Sequence, residues 1–494
     1  MLRRVSFAGF LFAAAAAALQ FHAGTRLVEV EVVVRSRSGP VTGLTKDDFT
    51  VLDRGKLQRI DVFRAGQLKA DAPAVPLAPG AVSNRANRIG EALPNATVVL
   101  FDRLNTRFDY TAYESKGMLK LVRGLGPRDR AAIYALGRNL HVLQDFTDDP
   151  GKLLAALSHV DSGRDLMPAN VHDALFGFPV DMMGNIEGID RAGPGLNAMY
   201  KRSIQDSAEL NARVNAADNE QITVETLARI VEHLSGMPGR RNLVWLMDQP
   251  MVPPPVMDML LQADIHLYPV LIRTVEYDVP DFMGTQKAGR DLAELTGGAS
   301  FDDALDLQLA LQTAEEDSQT SYTLGYYPSE DVLDGQYHRI SVKVAGEKAN
   351  HLDVHYRPGY LATKQEAARV TAPLAQIFGN PLDNTGLGLT ARFEPDPRPG
   401  LYQVYVTVDL HDVHLERQGN RSVGKVELAF PFGSEIRVLT VGIDLTDEEL
   451  AEALQTGFEM FGRGVKASGD FIRVVVRDPS TGLAGSLRIP VGRD

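Results

Sequence analysis

Two apolar runs, each ending on an aspartate, constrain the fold of this chain more than any other feature. Ala96-Thr97-Val98-Val99-Leu100-Phe101 runs into Asp102, and Asn242-Leu243-Val244-Trp245-Leu246-Met247 runs into Asp248. Runs of this length and β-branched content read as strands buried on both faces, as in a parallel sheet covered by helices. Both carboxylates then stand at strand ends. In an open α/β sheet, ligands bind in the crevice outside the carboxyl ends of the strands, and two acids meeting there form an oxygen-rich site suited to a hard divalent cation. Read singly, each aspartate only opens a loop or caps the next helix.

The bulk numbers bound the rest. A chain of 494 residues is too long for one ordinary core and predicts about two to four domains. With 44% hydrophobic and 23% charged residues it is of globular composition. The formal charge of -13, without a Lys/Arg run longer than a pair, excludes a phosphate backbone as the natural partner. There is no cysteine, so neither a disulfide framework nor a lipidated thiol is open to the chain. Met1-Leu2-Arg3-Arg4 followed by an apolar, alanine-rich Val5 to Leu19 matches the first two regions of a secretory signal. The apolar part falls short of the roughly 20 residues of a membrane span. The expectation is a signal peptide over 1–23, export to the periplasm or beyond, and no span after cleavage.

Past the signal, Val28, Val30, Val32 and Val34 alternate with Glu29 and Glu31, a half-buried strand. Asp53-Arg54-Gly55-Lys56 reads as a hairpin turn and Ala72 to Pro94 as a linker. From Ala96 to about Glu316 strands and helices alternate, the pattern of an α/β fold. Within it a helix is predicted over 111–122, a turn at 126–129, a cap at Thr147, and a long irregular insertion over 161–220. Strands at 321–327, 337–344 and 352–356 then follow. Three strands near the N-terminus are too few for a core, so residues 26–65 and 320–360 are expected to form one β-sandwich around an inserted α/β domain at 94–318. After a connector near 364–378, residues 380–494 read as a second sandwich, immunoglobulin-like in strand count. Thr446-Asp447-Glu448-Glu449 has capping-box spacing before its one helix.

The order of these segments resembles a known family. Asp102 at a strand end, Asp129-Arg130-Ala131-Ala132-Ile133, Gln144-Asp145-Phe146-Thr147 and Gly239-Arg240-Arg241-Asn242-Leu243-Val244-Trp245-Leu246 look like a von Willebrand factor A domain. Leu44-Thr45-Lys46-Asp47-Asp48-Phe49 before it, and Thr296-Gly297-Gly298, Ser321 to Pro328 and Arg357-Pro358-Gly359-Tyr360 after it, resemble secreted bacterial proteins related to that domain. The resemblance implies a doubly wound, mostly parallel α/β sheet of nucleotide-fold type. It also implies an adhesion site built from an Asp-x-Ser-x-Ser loop, a separate threonine and a separate aspartate. Carried over, the metal ligands are Asp102, Asn105, Thr106, Thr223 and Asp248, holding Mg²⁺ or Ca²⁺, with Thr147 a second candidate for the threonine. Leu104 stands at the middle serine position and cannot ligate a cation.

The function this implies is an exported, non-enzymatic module that binds a partner protein at the top of the A-like domain. The partner's acidic side chain would complete the metal shell, or polar contacts in the same crevice would serve instead. A structural envelope scaffold and a secreted hydrolase are the alternatives. Against the hydrolase, there is no His-Glu-x-x-His, Gly-x-Ser-x-Gly or Walker-type loop. His351, Asp353 and His355 would share one strand face and read as solvated, and His411 with His414 fits a turn.

Overall fold

The computed structural model describes residues 27–66, 77, 80–85, 95–105, 131–147, 149, 151–153, 155–156, 217–237, 239–248, 250, 252–272, 279–303, 306–328, 334–345, 351–362 and 374–491. The expected signal peptide, the helix over 111–122, the turn at 126–129, Thr106, the insertion up to residue 216 and the connector over 364–373 lie outside them.

The first strand, β1 (Val28–Ser36), buries its valines and pairs antiparallel on both sides. Its partners β12 (Tyr322–Tyr326) and β14 (Asp353–Tyr356) come from about 290 and about 320 residues later, and β5 (Val62–Ala65) extends the sheet beyond β12. A facing sheet is built the same way. Here β3 (Phe49–Asp53) lies between β4 (Lys56–Gln58) and β13 (Tyr337–Val344), and β15 (Gly359–Leu361) sits at the edge. Arg54 and Gly55 turn between β3 and β4 with φ of 49° and 78°, the left-handed pair that a two-residue hairpin requires. Val30, Val32, Val51, Leu324 and Ile340 close the core between the sheets.

The chain between those halves forms a five-stranded sheet in the order β11-β10-β7-β8-β9. β7 (Asn95–Asp102), β8 (Ala131–Leu136), β10 (Arg240–Met247) and β11 (Ile265–Leu271) are parallel, while β9 (Leu140–Thr147) runs back along β8. Val98, Leu100 and Trp245 face a layer that includes the helices over 217–234 and Pro254–Gln262. Val99, Phe101 and Leu246 face the helix Leu307–Thr320.

These pairings overturn the expected fold class. The chain is not a doubly wound, mostly parallel α/β protein but mostly β. Four of the five sheets among the described residues are antiparallel throughout, and the parallel ladders are confined to the central one, itself mixed. An apolar run reports burial on two faces, which is local. Strand direction depends on the connection, and residues 137–139 are too few for anything but an antiparallel return.

Two further sheets make the C-terminal unit. One runs β21 (Phe458–Val465), β17 (Tyr402–Val408), β16 (Leu389–Pro395), β6 (Val82–Ser83). The other runs β18 (Glu416–Gln418), β19 (Arg421–Phe432), β22 (Phe471–Arg477), β23 (Ala484–Pro490), with β20 (Glu435–Thr446) along the other side of β19. Thr446 and Glu449 form the capping box of the helix Asp447–Thr456. The presence of β6 corrects the reading of 72–94 as linker throughout. Val82 and Ser83 pair with β16, and the Asn84 side chain bonds the carbonyls of Asn384 and Leu387, both at 2.9 Å, and the Leu389 N–H at 2.7 Å.

Both sandwiches fasten to one end of the central sheet, the end where the parallel strands begin. Arg240, the first residue of β10, is buried and donates to Glu31 of β1 at 3.1 Å, to the Tyr268 hydroxyl at 3.1 Å and to the Gly297 carbonyl at 2.8 Å. Burial alone would raise the Glu31 pKa, but the His266 bond and the Arg240 charge outweigh it and hold the carboxyl below its usual range. Tyr268 passes the chain of bonds to Asp317 at 2.8 Å, and Arg35 of β1 closes it at 2.7 Å.

The C-terminal sandwich attaches through the last turn of the helix over 217–234. Thr385 Oγ1 donates to the His233 carbonyl at 2.6 Å and accepts the Gly236 N–H at 2.9 Å. Arg85 joins the Gly236 carbonyl at 2.5 Å and pairs with Asp412. The His233 ring is buried between the Asp383 carbonyl, 2.6 Å from Nδ1, and the Asp145 carboxylate, 3.4 Å from Nε2.

Candidate functional site

Asp102 and Asp248 meet at the opposite end. The parallel register of β7 and β10 sets Leu246 beside Phe101, so Met247 falls beside Asp102 and Asp248 one step beyond. Both are buried, at 2% and 3% exposure, which no solvated loop acid would be. Asp248 has an interaction of its own within the protein.

Around Asp102 the surroundings are donors. Its Oδ1 accepts the backbone N–H groups of Leu104 at 3.2 Å and Asn105 at 2.9 Å, a tight turn that begins the loop at the strand end. The Asn105 amide Nδ2 lies 3.1 Å and 3.0 Å from the two carboxylate oxygens and 3.2 Å from Thr223 Oγ1. Thr223 in turn donates to the Asn219 carbonyl at 2.7 Å, and the Asn219 amide reaches the Leu104 carbonyl at 3.4 Å. Trp245, two residues before the end of β10, has a buried indole N–H that finds no acceptor at hydrogen-bond distance, yet it favours the Asp102 carboxylate. Burial, the largest influence, raises the Asp102 pKa to about 6 against the opposing bonds from Asn105 and Leu104 and the more distant Trp245 indole.

The expected site residues therefore separate. Asp102, Asn105 and Thr223 form one bonded cluster with Asp248 on the adjoining strand, and Thr106 lies outside the described residues. Thr147 falls at the other end of the sheet, opposite Ala131, and so does not reach the rim. It is also not the cap of the segment after β9. Asp149 takes that role, accepting the N–H of Gly151 at 2.8 Å. Thr223 is a mid-helix residue whose hydroxyl bonds four residues back. Leu104 turns its side chain onto the core instead of the rim. Sequence reasoning missed Asn219 and Trp245. Asn219 had a legible signal, its i, i+4 spacing to Thr223, but the indole position depends on β7 and β10 being neighbours.

The arrangement does not fit a divalent ion as it stands. Such an ion needs oxygen lone pairs at about 2.0–2.6 Å. Here the Asn105 amide nitrogen, a donor and not a ligand, stands within hydrogen-bond distance of both Asp102 oxygens and of Thr223 Oγ1. Among the described residues no group of three or more His, Asp or Glu side chains is placed to hold a metal, and the His351, Asp353, His355 trio is no exception. His411 bonds Asp409 at 2.8 Å in a short turn, and His414 donates its backbone N–H to Asp478.

Among the described residues no helix is long and apolar enough to cross a membrane. No family model matches the chain, and no curated protein matches it. Among solved structures the chain is similar to a von Willebrand factor type A protein from Catenulispora acidiphila, with 11% identity over 87% of this chain and 73% of that one and a TM-score of 0.26.

Proposed function

We propose that the protein is an exported, non-enzymatic interaction module whose partner protein docks on the rim carrying Asp102, Asn105, Thr223 and Asp248. One observation carries this reading. The described anchoring contacts of both sandwiches, through Arg240 and through His233, lie at the far end of the central sheet and leave the rim's polar cluster out of the scaffold's own joints. A loop and a helix distant in sequence are bonded together there over the buried Asp102, Thr223 and Asp248, which pre-organises the exposed Asn105 and the half-buried Asn219 at the surface, as binding sites on strand ends require. The partner is held by direct polar contacts with the loop after β7 and the start of the helix over 217–234.

The test is comparative capture. Cells expressing the tagged full chain are cross-linked, and the proteins recovered are compared with those from Asp248→Ala and Asn219→Ala variants and from an Arg64→Ala control in the first sandwich. A partner lost with both rim variants and kept with the control supports the proposal. Unchanged recovery across all variants, or turnover of peptide, ester or glycan substrates that depends on Asp248, would replace it with the scaffold or the hydrolase reading.

A further inference from the structure

We infer that the Asn105 amide takes the place of a cation in this rim, so that the cluster assembles and stays assembled without a divalent ion. Three N–H groups bond the Asp102 carboxylate: the backbones of Leu104 and Asn105 and the Asn105 amide. All three are neutral donors occupying acceptor positions on the carboxylate. An ion-binding carboxylate must instead keep lone pairs open toward its metal.

The amide performs the two tasks an ion would. It bridges both oxygens of Asp102, and it links them to Thr223 on a helix that begins more than a hundred residues later. Thr223 Oγ1 accepts from Asn105 and donates to the Asn219 carbonyl. Leu104 fits the same scheme. Its side chain, where an oxygen would serve an ion, is spent on the apolar core. To admit a cation, Asn105 would have to turn its carbonyl oxygen toward two carboxylate oxygens, giving up the contacts its two amide hydrogens share among Asp102 and Thr223.

The inference concerns the ion alone and is independent of whether a partner docks on the rim. The experiment is thermal unfolding of the full chain in chelator and in millimolar Mg²⁺, Mn²⁺ or Ca²⁺, with calorimetric titration of each ion into the wild-type protein. The wild type is expected to show the same midpoint in every condition and no saturable heat. Asn105→Asp removes the amide and adds a third carboxylate. It is expected to unfold earlier in chelator and to recover by at least about 2 °C with an ion present, the scale of a sub-kilocalorie gain in a domain of this size. Asn105→Leu, with neither donor nor ligand, is expected to be destabilised and indifferent to ions. A wild-type midpoint that rises with an ion, or a titration heat abolished by Asp102→Asn, would overturn the inference even if Asn105→Asp failed to fold.

Discussion

Thr223 and His233 lie ten residues apart on one helix and are bonded to different parts of the molecule. The Thr223 hydroxyl accepts from Asn105 at the rim, and the His233 ring rests on the Asp383 carbonyl of the C-terminal sandwich. A helix rises about 1.5 Å per residue, so a rod roughly 15 Å long joins the candidate binding surface to the docked sandwich. The arrangement suggests four measurements.

Asp102 is expected to make the fold less stable as pH rises. Its folded pKa of about 6 exceeds the 3.8 of a free aspartate, so the native state holds the proton longer than the unfolded chain. The contribution is most favourable below pH 3.8 and is lost as pH rises through about 6. The gap is equivalent to about 3 kcal/mol. Urea unfolding of wild type and Asp102→Asn between pH 4 and pH 7.5 should show the variant gaining on the wild type with rising pH by up to that amount. A pH-independent difference would contradict it.

His233 has the opposite slope. Burial, the largest influence, lowers its pKa, but the Asp145 bond and charge together with the Asp383 carbonyl and carboxyl raise it overall. Both ring nitrogens face acceptors, so the imidazolium is the form the junction accommodates. Its stabilisation is complete below about 6.5 and disappears as pH rises through the elevated folded value. The Asp145 carboxyl, for its part, is held well below the usual range once the His233 bonds outweigh burial. The imidazole proton signals, followed by NMR, should titrate above the ordinary histidine range, and in Asp145→Asn they should move back down.

Gly236→Ala should loosen the C-terminal sandwich while sparing both units. A Cβ at this position would stand 1.8 Å from the Thr385 carbonyl oxygen and 2.6 Å from its carbon, backbone atoms that cannot swing aside. The expected cost is about 1–3 kcal/mol at the junction. Calorimetry should resolve separate transitions for the variant, whereas a single unshifted transition would show that the segment over 383–385 yields freely.

Arg240→Met should damage the other junction. It leaves the half-buried Glu31 with His266 and strips donors from Tyr268 and the Gly297 carbonyl. Breaking such a buried pair from one side costs about 3–5 kcal/mol. Equilibrium unfolding in urea measures it, and a loss under about 1 kcal/mol would mean that water replaces the guanidinium there.

The strands were the legible part. The valine alternation of β1, the apolar runs of β7 and β10 and the capping box at Thr446 are all written locally, and each element appears where its residues put it. Asp102 and Asp248 were legible as strand-end acids for the same reason. Asn105 was legible as a rim residue but not as a donor, because an amide's orientation is fixed by what surrounds it. Burial in a strand, the period of a helix and the chemistry of a turn are set by neighbours within a few positions, and the sequence determined those by itself. The tertiary structure alone decided that β9 returns antiparallel, that Val82 and Ser83 leave the expected linker to join a sheet about 300 residues away, and that among the described residues strand prevails over helix. It also decided that Thr223 and not Thr147 meets Asp102. These depend on which distant segments share a face, and that is chosen by the free energy of the whole packed chain.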